Sequence, residues 1–326
     1  MSALVVLVPA LAAIGVIAFL RASGLAARMI DRPGERSLHA VATPRIGGIG
    51  VMLGALPVVF AYGDAEVRWI AATAAALALV SAVDDVRSLP VAVRLPCHLA
   101  AAAVAVGVAW PGAGSTAAAL VVAAVALLAI AWMTNLFNFM DGADGLAGGM
   151  ALIGFAALAW AAVRAGDTAL AFASIALSAG AAGFLAFNFP PARVFLGDAG
   201  SVPLGFLAGA LGWLGAERGA WPAWFPALVF SPFIVDATVT LAKRAARGES
   251  LLKAHRGHYY QRLVLGGWSH RRLAVASWAL MVAVAASAVA ALGAHAAVQG
   301  AIISAWSIAY ATLLWSIDRR QSRGPS

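Results

Sequence analysis

Eleven long apolar runs leave this chain few ways to fold. They fall at about 2–20, 46–61, 69–83, 95–110, 117–134, 147–163, 169–187, 201–216, 221–242, 273–294 and 297–316. Runs of this kind cross a bilayer as helices, because a helix satisfies its own backbone where water is absent. They are rich in Ala, Val and Leu and lack the alternation of barrel strands. Only 11% of the 326 residues are charged, against about 25% in a soluble domain. The expected fold is therefore all-α: a polytopic membrane protein with about eleven transmembrane helices, ten being the alternative count. Several runs hold only 15 or 16 residues, short of the ~20 a span needs. Those helices must borrow flanking residues, sit in a thinned bilayer or break near a site. Arg21 follows the first run instead of preceding it, which favours an N-terminal span over a signal peptide.

The connections set an orientation. With the N-terminus outside (periplasmic), the inside segments are 21–45, 84–94, 135–146, 188–200, 243–272 and 317–326. They hold 19 of the 22 Lys and Arg residues, leaving Arg68, Arg164 and Arg218 outside. That bias obeys the positive-inside rule. It accounts for the net charge of +8 without nucleic acid as a partner. The outside turns, such as Tyr62–Glu66 and Pro111–Ser115, are short and bland. The reading is one membrane domain, 1–326, with a chemically loaded cytoplasmic face. Cys97 is the one cysteine, so no intrachain disulfide forms, and packing explains it.

Nearly every unusual residue lies in the inside loops. The first loop runs from Asp31 to His39 and on to Thr43-Pro-Arg-Ile-Gly-Gly48. Arg and His donors beside a Gly-Gly turn suit a phosphate or carboxylate, and Arg45 is the strongest candidate. A solvated basic loop is the plain alternative. The second loop carries Asp84-Asp85 on a sparsely charged chain. At a helix end the pair can turn toward one cation, or one can hold metal while the other takes a proton. The third, Asn135-Leu-Phe-Asn-Phe-Met-Asp-Gly-Ala-Asp-Gly-Leu146, spaces Asn135, Asn138, Asp141 and Asp144 by three residues. Gly142 and Gly145 break the helix, so the two Asn end it, the two Asp-Gly pairs make turns, and all four converge. Carboxylate and amide oxygens suit Mg²⁺ or the polar edges of a nucleotide; helix caps and Asx turns account for one of the four.

The fourth loop places Asp198 between Gly197 and Gly200, just before the next helix. Free N–H groups there suit an anion and the carboxylate suits a metal. Phe195 is placed either to stack on a base or to pack. The fifth carries His255-Arg-Gly-His-Tyr-Tyr-Gln-Arg-Leu263 and Trp268-Ser-His-Arg-Arg272. His255 and His258 lack further ligands at zinc spacing, and with Arg256 and Arg262 they read better as a cationic clamp on phosphates. Asp236, inside the ninth run, either pairs with an Arg or lines the cavity.

Taken together, these motifs resemble those of the polyprenyl-phosphate N-acetylhexosamine-1-phosphate transferases, glycosyltransferase family 4. The matching stretches are Thr43–Gly48, Asp84-Asp85, Asn135–Leu146, Phe195-Leu-Gly-Asp-Ala-Gly-Ser201 and His255–Leu263, in the family's order. The resemblance implies transfer of a sugar-1-phosphate from a UDP-sugar to undecaprenyl phosphate in a bacterial inner membrane. It also implies Mg²⁺, with Mn²⁺ as a substitute, and release of UMP. By the same analogy Asp198 is a metal ligand with Asn138 or Asp141. Asp84 and Asp85 bind or deprotonate the acceptor, or help with metal. Asp144 and Phe195 hold the uridine, Arg45 and Asn135 are further substrate-binding residues, and His255, Arg256 and His258 grip the diphosphate. The peptidoglycan translocase branch has consecutive His residues in the last loop, which this chain lacks. That points to the branch initiating O-antigen or exopolysaccharide, and leaves the sugar unread. A peptidoglycan-type translocase and a transporter with a carboxylate relay are the alternatives. A homodimer is left open.

Overall fold

A computed structural model describes residues 3–34, 38, 39, 41–110, 116–251 and 255–322. The outside turn at 111–115 and residues 35–37 of the first loop lie outside the described residues. The apolar runs become helices in order: α1 (Leu4–Ala22), α2 (Gly47–Tyr62), α3 (Ala65–Arg87), α4 (Val91–Val108), α5 (Ala117–Phe139), α6 (Leu146–Ala165), α7 (Thr168–Asn188) and α8 (Asp198–Glu217). The broken pair α9 (Trp224–Val229) and α10 (Ser231–Ala246) follows, then a short α11 (Tyr259–Leu265), α12 (His270–Ala291) and α13 (Ala296–Ser322). Among the described residues nine of these helices are long and apolar enough to cross a membrane unaided. The other two of the eleven runs form the shorter, 16-residue α2 and the broken α9–α10 pair.

Polar caps start several helices. Asp64 accepts the Val67 N–H at α3, Thr116 the Ala119 N–H at α5, Asp167 the Leu170 N–H at α7 and Ser269 the Arg272 N–H at α12. The ninth run breaks at Phe230, beside Pro232, whose missing N–H cannot continue the ladder. Buried Phe230 then turns onto Phe155.

Some loops are shorter than the hydropathy pattern indicates. Polar residues end an apolar run without ending the helix. So Asp84 and Asp85 sit in the last turn of α3, and Asn135 and Asn138 in the last turns of α5. The segment 243–272 is not one open loop: it holds the end of α10, all of α11 and the start of α12.

α8 runs through the middle of the molecule, buried along nearly its whole length against α3 and α5. α1 and α13 lie at the periphery, with Leu4, Leu11, Ile308 and Trp315 facing outward. At one end Arg218 bonds Asp64, Glu66 and Asp167, tying three turns together. At the other end lie the polar loops. A two-stranded ribbon there pairs β1 (Ile30–Asp31) with β2 (Thr43–Pro44), antiparallel.

Candidate active site

The Thr43–Gly48 and Phe195–Ser201 stretches are bonded directly to each other. The Phe195 N–H donates to the Pro44 carbonyl, Gly47 N–H to Phe195, and Gly48 N–H to Leu196. This brings the first turns of α2 and α8 together backbone to backbone: a Cβ on Gly48 would lie 2.2 Å from the Gly200 nitrogen. Gly197, with φ +74°, makes the turn into α8.

Asp85 closes this junction from α3. Its side chain is wholly buried and accepts the N–H groups of Asp198 (3.0 Å) and Ala199 (2.9 Å). It thus caps the positive end of α8. Asp84, its neighbour in sequence, points elsewhere. One oxygen accepts the Leu89 N–H and the other a hydrogen bond from Arg94 Nη1 at 3.1 Å. Asp84 therefore lines a cavity, whereas Asp85 lines neither of the two described below. Both acids nevertheless act on Asp198: Asp85 accepts its N–H, and Asp84 shares Arg94 with it, Nη1 lying 3.8 Å from Asp198 Oδ2.

The first cavity, about 260 Å³, lies where four loops meet. Its acids are Asp31, Asp141, Asp144 and Asp198, facing Arg45, His39 and His270. Arg45 is held by Asp31 at 2.8 Å. Phe195 forms part of the wall with His39 edge-on to its ring, centroids 4.7 Å apart. Asp198 accepts a 2.7 Å bond from Asn138 Nδ2, which also donates to Ser201 Oγ. Burial pushes the Asp141 carboxyl well above its usual range, and the negative charges of Asp198 and Asp85 push it the same way. Burial also raises Asp144. Its bond from His270, the Ala192 N–H and the charges of His270 and His39 outweigh that, holding the carboxyl below its ordinary value.

Crowded carboxylates with too little positive charge fit a divalent cation. Among the described residues no three His, Cys, Asp or Glu side chains form a ready-made cage. Mg²⁺ does not need one, since it binds through one or two carboxylates together with substrate phosphates. Asp198 and Asp141 supply oxygens of that kind. Asn138 presents its amide NH₂ to Asp198, so a turn of the amide is needed for it to offer oxygen.

The second cavity, about 490 Å³, has the opposite character. It holds one carboxylate, Asp84, with Arg94, His98, His255 and His258, and much of its wall is apolar, including Leu77, Val80, Leu95 and Trp132. Asn135 is here and not with Asp141: its Oδ1 pairs with His98 Nδ1 at 3.2 Å and its Nδ2 donates to the Ala131 carbonyl. Asn138 and Gln261 line both cavities and mark their meeting point. An apolar groove of about 500 Å³ between α5, α8, α9 and α10 shares Trp132 with the second cavity.

The last motif is set by Asp236, whose partners are backbone N–H groups and an imidazole. Its two oxygens accept the Tyr259 and Tyr260 N–H groups, each at 2.9 Å, and Oδ1 lies 3.3 Å from His258 Nδ1. A buried carboxylate thereby caps α11 and fixes His258. Gln261 adds the reciprocal cap, accepting the His258 N–H. Tyr260 donates to the Phe139 carbonyl, tying α11 to α5.

The expected cationic clamp is mostly absent. His255 stacks on His258, centroids 5.0 Å apart. Burial first, then the nearby positive charges of His258 and Arg244, bring its pKa down to about 4, so it is neutral near pH 7. Arg256 is exposed and lines neither cavity. Arg262 pairs with Asp318 at 2.8 Å.

Arg94, His98, Gln261 and His270 carry site geometry that the motif reading did not assign. His98 had a signal: an ionisable residue inside an apolar run is costly unless used.

Residues 67–215 match the model of glycosyl transferase family 4. A decaprenyl-phosphate N-acetylglucosaminephosphotransferase of Mycobacterium tuberculosis is 30% identical over 309 residues, covering 81% of this chain and 76% of the relative. A phospho-N-acetylmuramoyl-pentapeptide-transferase of Synechococcus sp. is 30% identical, covering 73% of each chain. A probable undecaprenyl-phosphate N-acetylglucosaminyl 1-phosphate transferase of Bacillus subtilis is 26% identical, covering 74% of this chain and 71% of its own length.

Proposed function

The chain belongs to glycosyl transferase family 4, and from that premise we propose that it moves N-acetylglucosamine-1-phosphate from UDP-N-acetylglucosamine to undecaprenyl phosphate, releasing UMP. The observation that carries this reading is the meeting of two cavities of opposite character at Asn138 and Gln261. The acid-rich one suits a nucleoside diphosphate arriving with Mg²⁺. The one lined by Arg94 and imidazoles, and walled by apolar residues, suits a phosphate on a lipid. The groove reached past Trp132 suits the polyprenyl tail.

In the first cavity Phe195 offers its ring to the uracil, and Arg45 faces the diphosphate. Asp198 and Asp141, with Asn138, are the residues that would hold Mg²⁺. When bound, the metal offsets charge on the donor phosphates. Asp85 keeps the first turn of α8 in place, and so Asp198 aimed into the cavity. In the second cavity Arg94 draws the acceptor phosphate toward the boundary. A phosphate monoester is largely ionised near pH 7, so its oxygen needs little base to attack the donor β-phosphorus. That oxygen–phosphorus bond forms as the bridge to UMP breaks. Asp84 then serves to position Arg94 rather than to take a proton.

The 19-to-3 division of basic residues supports a cytoplasmic site in a bacterial inner membrane. Asp236 caps α11 at the site, which removes the main candidate for a proton relay in a transporter. The test uses purified protein with UDP-N-acetylglucosamine, undecaprenyl phosphate and Mg²⁺. UMP should appear only when all three are present. No UMP across a panel of UDP-N-acetyl sugars would overturn the reading.

A further inference from the structure

His98 is buried (6% exposed) on a membrane-spanning helix, one of three imidazoles lining the second cavity. Its ring is not loosely held. The Asn135 amide is fixed by donating Nδ2 to the Ala131 carbonyl at 2.7 Å, so its Oδ1 must face His98. An amide oxygen only accepts, hence His98 Nδ1 carries the proton. The other ring nitrogen, Nε2, has no hydrogen-bond partner among the described residues, on a residue that lines the second cavity. Arg94, one turn earlier on α4, lines the same cavity and donates from Nη1 to Asp84. An imidazole nitrogen left without a partner beside a guanidinium describes a place for an anion.

We propose that His98, oriented by Asn135, binds the phosphate of the lipid acceptor through Nε2, beside Arg94. This deepens the transferase reading and rests on it. Nε2 suits either ionisation state of a phosphate monoester. As a neutral ring it accepts the remaining P–OH; as an imidazolium it donates to the dianion, with Nδ1–H still on Asn135. The donor diphosphate is the poorer candidate for this arm, because the four carboxylates that call for a metal lie in the other cavity.

The test measures KM for each substrate separately, by UMP release from UDP-N-acetylglucosamine and undecaprenyl phosphate in detergent. His98→Ala should raise KM for undecaprenyl phosphate at least about tenfold, the scale of one lost charge-assisted hydrogen bond, and leave that for the UDP-sugar within twofold. Asn135→Ala, acting only through the ring, should shift the same constant by a smaller factor. His98→Gln, which keeps a polar group of similar reach, serves if the alanine variant does not fold, and should raise the same KM. A rise confined to the UDP-sugar, or both constants unchanged in folded variants, would overturn the proposal. Absence of UMP from the unmodified protein would instead strike the transferase reading itself.

Discussion

At the residue scale, Asp85 and Asp198 divide a task that their motifs leave undivided. Asp85 spends both oxygens on the start of α8, whereas Asp198 keeps an edge toward the cavity. Asp198→Asn keeps the shape and loses the charge. Turnover should fall by about 10² to 10³, with the thermal unfolding midpoint in detergent little changed; a variant of normal activity would rule Asp198 out as a metal ligand. Asp141 adds a second handle. Its carboxyl is pushed up by burial and by the charges of Asp198 and Asp85, so without metal it retains its proton to unusually high pH. A cation binding there must displace that proton. Calorimetry of Mg²⁺ with donor nucleotide, in buffers of different ionisation heat, should register proton release that Asp141→Asn removes. Equal proton counts in both proteins would contradict the placement.

At the element scale, the helices are more exactly placed than their apolar runs. The runs were readable because a bilayer filters sequence so strongly: all eleven reappear as helices, nine of them, among the described residues, long and apolar enough to cross. Their ends were less so. Asp84, Asp85, Asn135 and Asn138 stop the hydropathy signal while the backbone ladder continues through them. The convergence of Asn138, Asp141 and Asp144 was legible from the Asp-Gly breaks, whereas Asp198 was joined to them only by the family resemblance. The separation of Asn135 from them was not, since its partner His98 lies 37 residues away on another helix. Nor does spacing reveal that Asp236 caps α11, a contact across 23 residues. Two substitutions test these joints. Gly48→Leu forces a side chain into the Gly200 backbone, a contact with no room to relax, and should cost about 3 kcal/mol, seen as a lower midpoint of thermal unfolding. Asp236→Ala removes the acceptor of two N–H groups and should cost roughly 3 kcal/mol. Limited proteolysis within 255–265 should then quicken; an unchanged cutting rate would show that α11 holds without its carboxylate.

Across the whole molecule, charge is sorted twice. Basic residues gather at one end of the bundle, and within that end four carboxylates line one cavity, whereas the other holds Asp84 alone with Arg94 and three imidazoles. Arg218 fastens the far end with three carboxylates, where no site is needed. In the proposed reaction a diphosphate donor and a lipid phosphate repel each other, and two cavities that share Asn138 and Gln261 would let each be neutralised before they meet. The direct test of this arrangement is the lipid product itself. Mass spectrometry after incubation with UDP-N-acetylglucosamine and undecaprenyl phosphate should find the acceptor heavier by one N-acetylhexosamine and one phosphate, joined as a diphosphate, with UMP in the aqueous phase. An acceptor heavier by the sugar alone, with UDP released, would mean attack at the sugar carbon instead of the β-phosphorus, and would contradict the account.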